Sequence, residues 1–168
     1  AVAADCIYIP ERGSNGLVIS SVNIKEPGKV LDDIMIVNDR AAVYVSTTAI
    51  YLYKENYNSS SITEIAKFSM KQGILDAVGA ANVPGTVRDT FAVHEYQGRI
   101  RILTTSRGSE GSENNLYLFD ENLESVGKLE GLAQGEQIYS ARFLGTMAYF
   151  VTYRNIDPLF AVDLSDEK

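Results

Sequence analysis

The sequence predicts an all-β fold, and three observations carry that prediction. Apolar residues recur with a period of two rather than 3.6, in short runs rich in Val, Ile, Tyr and Phe. Between the runs lie a few residues able to turn tightly. The succession of strands and turns then repeats roughly every fifty residues.

In chain order, Ile7-Tyr8-Ile9-Pro10 reads as a first short strand, followed by Ile34-Met35-Ile36-Val37, Ala42-Val43-Tyr44-Val45-Ser46 and Ile50-Tyr51-Leu52-Tyr53. Residues 63–80 hold the best helical candidate. They contain Gly73 and Gly79 and read more easily as two strands. Further strands are expected at Phe91-Ala92-Val93-His94-Glu95-Tyr96, Arg99-Ile100-Arg101-Ile102-Leu103-Thr104 and Asn115-Leu116-Tyr117-Leu118-Phe119. The last are Ala141-Arg142-Phe143-Leu144, Ala148-Tyr149-Phe150-Val151-Thr152 and residues 159–164. Asn38-Asp39-Arg40, Tyr96-Gln97-Gly98-Arg99, Asp120-Glu121-Asn122 and Leu144-Gly145-Thr146 supply hairpin turns, so the strands form meanders.

The repeats begin near residues 35, 91 and 141, and each holds two adjacent strands, a third after a variable loop, and often a fourth. Antiparallel four-stranded blades account for this spacing, giving a partial β-propeller of about three units over 7–85, 86–136 and an incomplete 137–168. A sandwich with irregular strand lengths is the alternative.

The chain has 168 residues, with 15 Lys+Arg against 22 Asp+Glu, a formal net charge of −7. That balance opposes nucleic-acid and anionic-membrane partners, which need clustered Lys and Arg. No apolar run reaches the ~18 residues of a membrane span, so no membrane insertion is expected. The single cysteine, Cys6, excludes an internal disulfide and a cysteine zinc site.

Three segments resemble a known family: residues 135–143 running through Asp157-Pro158-Leu159-Phe160-Ala161-Val162-Asp163-Leu164-Ser165, Val83-Pro84-Gly85 with Glu95-Tyr96-Gln97-Gly98-Arg99-Ile100-Arg101 and Thr104-Thr105, and Ser61-Ile62-Thr63 through Phe68. They are similar to the secreted bacterial and archaeal proteins with a C-terminal β-propeller domain distantly related to WD repeats. Residues 135–165 carry the most specific part of the likeness. The resemblance implies a propeller, export to the outside or the cell surface, and no established biochemical activity. Ala1-Val2-Ala3-Ala4-Asp5 lacks the basic start and apolar stretch of an export signal, which on this reading lies upstream. A family member would continue past Lys168 through further blades. The chain is therefore expected to be a piece of a larger propeller with unpaired edges, prone to pair with a second copy.

No residue constellation carries chemistry by itself, so no catalytic, cofactor-binding or metal residues are assigned. His94 lies in an alternating strand with Ala92 and Tyr96, Glu95 points to the other face, and a packed imidazole is expected. Cys6 reads as a small buried hydrophobe without a basic neighbour. Asp32-Asp33 and the run 120–124 lack the calcium-loop spacing and read as turn residues. Asn58-Ser59-Ser60 fits a glycosylation acceptor or a plain turn.

The most distinctive segment is Arg107-Gly108-Ser109-Glu110-Gly111-Ser112-Glu113-Asn114, read as a long polar loop projecting from one rim. Arg107, Glu110, Glu113 and Asn114 are the candidate binding residues. Arg99, Arg101, Arg107, Arg142 and Arg154 suggest either an anion-binding ring or partners for the more numerous carboxylates. The dense tyrosines suggest core packing or a groove for glycans or peptides. These features favour a non-catalytic scaffold for a protein or glycan ligand. The competing class is an extracytoplasmic glycan hydrolase or lyase with carboxylates on the rim. A third reading is a module that positions a neighbouring domain.

Overall fold

The structure is a computed structural model of the chain. It describes residues 15–37, 40–56, 61–108, 111–153 and 158–165, and the backbone of residues 7–8. Fourteen strands and one 3-10 turn, Thr90–Ala92, make up the regular structure of those residues. The strands group into four sheets.

Sheet one holds β1 (Ile7–Tyr8), β2 (Gly16–Val22) and β3 (Val30–Val37) in the order β1-β3-β2. Here β2 runs antiparallel to β3, and β1 runs parallel to it, the exception in an otherwise antiparallel architecture. Sheet two is a meander of β4 (Ala42–Val45), β5 (Ala49–Asn56), β6 (Ile62–Lys71) and β7 (Ile74–Pro84). Sheet three repeats it with β8 (Val93–Tyr96), β9 (Arg99–Gly108), β10 (Gly111–Phe119) and β11 (Ser125–Leu132). Sheet four has β12 (Gln137–Leu144), β13 (Met147–Tyr153) and β14 (Leu159–Asp163).

The segment 63–80 is two strands, as its glycines predict, folding back at Gln72-Gly73 with Lys71 paired to Ile74. The segmentation differs in one place. Residues 7–85, read as one unit, contain two sheets, with β3 in the first and β4 in the second, and Asn38-Asp39 of the expected hairpin turn lie outside the described residues. Both edges of β3 are already bonded, to β1 and β2, so β4 has no edge to join there and opens a new sheet with β5. A short polar connection has the same composition in either role.

The sheets pack face to face through two apolar clusters. Ile34 and Ile36 of sheet one meet Ile50, Leu52, Phe68 and Leu75 of sheet two. The second cluster joins sheets two, three and four, with Tyr51, Leu103, Leu116 and Phe150 each at most 1% exposed. Strand β5 shows the division: Ile50 and Leu52 face one cluster while Ala49, Tyr51 and Tyr53 face the other. Alternation of side chains across a strand does this whenever both faces are covered. The outward faces of the end sheets are open, with Val18 and Val22 exposed on sheet one and Tyr139, Tyr153 and Leu159 on sheet four.

Two glycines are set by backbone geometry. Gly98, at φ +81, completes the β8–β9 turn with Gln97 at φ +53, and open space surrounds it. Gly85, at φ +91, passes so close to β9 that a Cβ would stand 2.7 Å from the Thr105 carbonyl oxygen. Left-handed backbone costs an L-residue roughly 1–2 kcal/mol. Both Gly98→Ala and Gly85→Ala are expected to lose that much in urea unfolding, and Gly85→Ala more. Phe150→Ala, which empties a fully enclosed site, is expected to cost about 3–5 kcal/mol in the same measurement.

Candidate functional site

The two rims of the stacked sheets are built differently. One carries the tight turns at 46–48, 72–73, 97–98, 120–124 and 145–146. The other carries the connections between sheets, 85–92 and 133–136, beside the ends of β5, β6, β9 and β10.

Buried hydroxyls and an amide hold the connection rim in place. Thr63 donates to the Gly85 carbonyl at 2.8 Å and Thr104 to the Pro84 carbonyl at 2.7 Å. Thr86 and Thr105 exchange two backbone hydrogen bonds of 2.9 Å, which ties the first connection to β9. Asn114, fully buried, donates through Nδ2 to the carbonyls of Leu132, Ala133 and Glu136 at 3.1–3.4 Å. Its Oδ1 accepts the Thr105 hydroxyl at 2.7 Å, and Thr105 Oγ1 accepts the Ile138 N–H at 3.3 Å. The Thr152 hydroxyl donates to the Glu136 carboxylate. Together these bonds supply partners to backbone groups of the two connections and tie them to β6, β9 and β10.

A cleft of about 440 Å³ opens on this rim, within the size range of small-ligand sites. The first connection contributes Thr86 and Arg88, and Ser61 lies immediately before β6. The β9–β10 ends contribute Thr105, Ser106, Arg107, Gly111 and Ser112. Gln137 and Ile138 close it from sheet four. The cleft thus draws on three sheets and presents hydroxyls, one amide and two guanidinium groups. Among the described residues, no carboxylate lines it. Arg88 lies with Cζ 5.9 Å from the Tyr139 ring centroid, and it also borders a second cleft of about 410 Å³ with Arg40, Lys54, Glu55 and Asp89.

The residues predicted for binding separate by strand alternation. Arg107 pairs with Ser112 in the ladder, and both line the cleft. Asn114 shares their face one step further in, where its hydrogen bonds fasten the second connection. Glu113 faces the other way, opposite Ser106, whose hydroxyl its Oε1 accepts at 3.2 Å. Glu110 lies outside the described residues. The segment is also shorter as a loop than its composition suggests, because pairing continues from Asn114↔Thr105 out to Gly111↔Gly108.

The arginines do not assemble as one ring. Arg99 starts β9 at the turn rim, and Arg107 lies about 26 Å away at ~3.3 Å per residue. Arg101 is buried, donates to the Gly145 carbonyl at 2.6 Å and lies over the Tyr96 ring. Arg142 covers Phe91 at 3.5 Å from the ring centroid. Arg154, Cys6 and Asn58-Ser59-Ser60 lie outside the described residues. Arg88, Ser61 and Gln137 were missed in the sequence. They precede or begin strands of different sheets, and no local spacing links them.

Of the carboxylates read as turn residues, Asp120 does serve its turn, its Oδ1 accepting the N–H groups of Asn122 and Glu124 at 2.8 and 2.9 Å. Asp32 and Asp33 instead lie inside β3, and Asp32 accepts the Leu75 N–H of sheet two at 2.7 Å. Tyr51, Tyr53 and Tyr117 are in the core, whereas Tyr139 and Tyr153 stand exposed with ring centroids 6.5 Å apart.

Two titrating groups with shifted equilibria, Glu95 and His94, lie at the turn rim. Burial favours a protonated Glu95, but the hydroxyls of Thr48, Tyr51 and Ser46 and the charge of Lys67 win and hold it below the usual 4.5. Those hydroxyls lie 2.5, 2.6 and 2.9 Å from its oxygens. His94 stacks on Phe143 at 5.3 Å, and Tyr96 flanks it at 6.4 Å. Burial, and then the nearby Arg101 charge, push its pKa below 6.5, with Glu95 opposing.

A family model described as a beta propeller domain matches residues 1–168. The chain belongs to the β-propeller domain family. Its described sheets form an open, partial propeller of successive blades. An uncharacterised protein of Archaeoglobus fulgidus is 44% identical over 104 residues, 62% of this chain and 16% of its own length. An uncharacterised protein of Methanocaldococcus jannaschii is 39% identical over 118 residues, 68% of this chain and 18% of its own length. The propeller segment therefore spans under a fifth of the length of either relative. No solved structure matches it.

Asn114→Ala is expected to destabilise the propeller segment by about 1–3 kcal/mol, measured by urea unfolding, because it orphans connection carbonyls. The depressed His94 pKa means that the unfolded chain takes up the proton first. Stability is therefore expected to fall as pH drops below about 6.5. A second loss follows below 4.5 from Glu95, with Glu55, raised by burial, opposing it. In thermal melts from pH 7.5 to 5.5, His94→Phe is expected to flatten the first decline.

Proposed function

We propose that this propeller segment is a non-catalytic binding scaffold of an extracytoplasmic protein and takes its ligand at the connection rim. The observation that carries the reading is the cleft itself. Three sheets converge on it, its floor is held by satisfied hydrogen bonds, and its mouth keeps polar donors toward solvent. Preorganised polar groups on a rigid frame are what a binding site needs. The extracytoplasmic placement is supported by the likeness of residues 135–165 to secreted proteins.

A glycosidase needs two carboxylates flanking the scissile bond, one to donate a proton and one to attack or activate water. The described lining offers arginines and hydroxyls in those places, which suits recognition better than cleavage. Glu95 lies at the other rim with its oxygens committed to three hydroxyls.

Titration calorimetry against neutral and acidic oligosaccharides and short peptides tests the reading. At least one ligand is expected to bind, and Gln137→Ala is expected to weaken it about tenfold, or ~1.4 kcal/mol, with an unchanged melting temperature. New reducing ends or unsaturated products in the wild-type incubation would replace the scaffold with the hydrolase or lyase.

A further inference from the structure

We infer that the connection-rim cleft is a receptor for an acidic saccharide, with Arg88 and Arg107 reading its carboxylate or sulfate groups. This rests on the rim-binding reading above and names the chemistry of its ligand.

The charge distribution points this way first. The chain carries a formal net charge of −7, yet the described lining of this one cleft has two guanidinium groups and no carboxylate. Among the described residues neither Arg88 nor Arg107 forms an ion pair, although acidic residues outnumber basic ones, so their charge is available to a ligand. A guanidinium presents its donors in a planar fork that matches a carboxylate or sulfate through two parallel hydrogen bonds.

The remaining donors suit a polyhydroxylated ligand. Gln137 Nε2 donates to Ser112 Oγ at 3.3 Å, which leaves the Ser112 hydroxyl proton and the second amide hydrogen for other acceptors. Ser61 adds a hydroxyl across the cleft. Outside the cleft lining, Tyr139 stands 63% exposed with the Arg88 guanidinium over its ring, which holds Arg88 at the edge of the cleft. A peptide would want apolar anchor pockets, and of the described lining Ile138 is the one large apolar side chain. Nucleic acid is disfavoured by the overall charge.

Calorimetry of the 168-residue chain with three probes decides the matter: trigalacturonic acid, neutral galactotriose of the same length, and inorganic sulfate. Trigalacturonic acid is expected to bind at least tenfold tighter than galactotriose and to weaken as salt rises. Arg107→Ala and Arg88→Ala are each expected to reduce that affinity about tenfold with unchanged melting temperatures. Arg107→Lys should recover little of it, because an ammonium cannot make the paired contact. Equal binding of the neutral and acidic trimers, still weakened by Gln137→Ala, overturns the acidic-ligand inference and leaves the rim reading standing. Inorganic sulfate binding as tightly as the acidic trimer also overturns it, in favour of a free-anion site. If no saccharide and no peptide of the wider panel binds, the inference and the rim reading fall together.

Discussion

A sheet that is apolar on both faces must be covered on both, and that requirement organises this chain. Tyr51 and Leu52 are neighbours on β5, both almost fully buried, yet they point into different clusters. Sheet two is consequently sandwiched, and sheet three extends the second cluster to sheet four. At ~25 cal/mol per Å² of apolar area, covering the second face contributes as much as covering the first. Stacked blades are the arrangement that secures both. The open faces around Val18 and Tyr153 show what a sheet looks like when its second face is not covered.

Stacking leaves the polar problem at the rims. Within a sheet the ladder pairs the backbone groups, but a connection that crosses to the next sheet leaves its ladder behind. Thr63, Thr104 and Asn114 replace the missing partners by donating to backbone carbonyls of the connections, and Thr105 donates to the Asn114 amide oxygen while accepting the Ile138 N–H. The turn rim solves the same problem around one carboxylate, Glu95, which gathers hydroxyls from sheet two. Because the anchoring groups are buried, the groups above them are free to face solvent in fixed positions. The cleft follows from that, with Arg107 and Ser112 one same-face step outward from Thr105 and the buried Asn114.

Much of this was legible in the residues. Alternation at Ala148-Tyr149-Phe150-Val151-Thr152 marked a strand, and Leu144-Gly145-Thr146 marked its turn. The packed position of His94 followed from the apolar company it keeps. The expected pairing of β3 with β4 does not form, because a hairpin and a step to the next sheet use the same short polar vocabulary. Of the candidate loop, Arg107 was placed on the cleft. Asn114 was not recognised as a fastener, since burial of an amide depends on which carbonyls happen to lie above it.

The sequence by itself determined the strands, their turns, the repeat and the propeller class, because each depends on the period-two spacing of neighbours along the chain. Tertiary structure alone decided which strands share a sheet, which arginines line the cleft and which hydroxyls meet at one rim. Those properties belong to residues as distant as Ser61, Arg88 and Gln137. No local pattern links them, and they come together only when the sheets cover one another's faces.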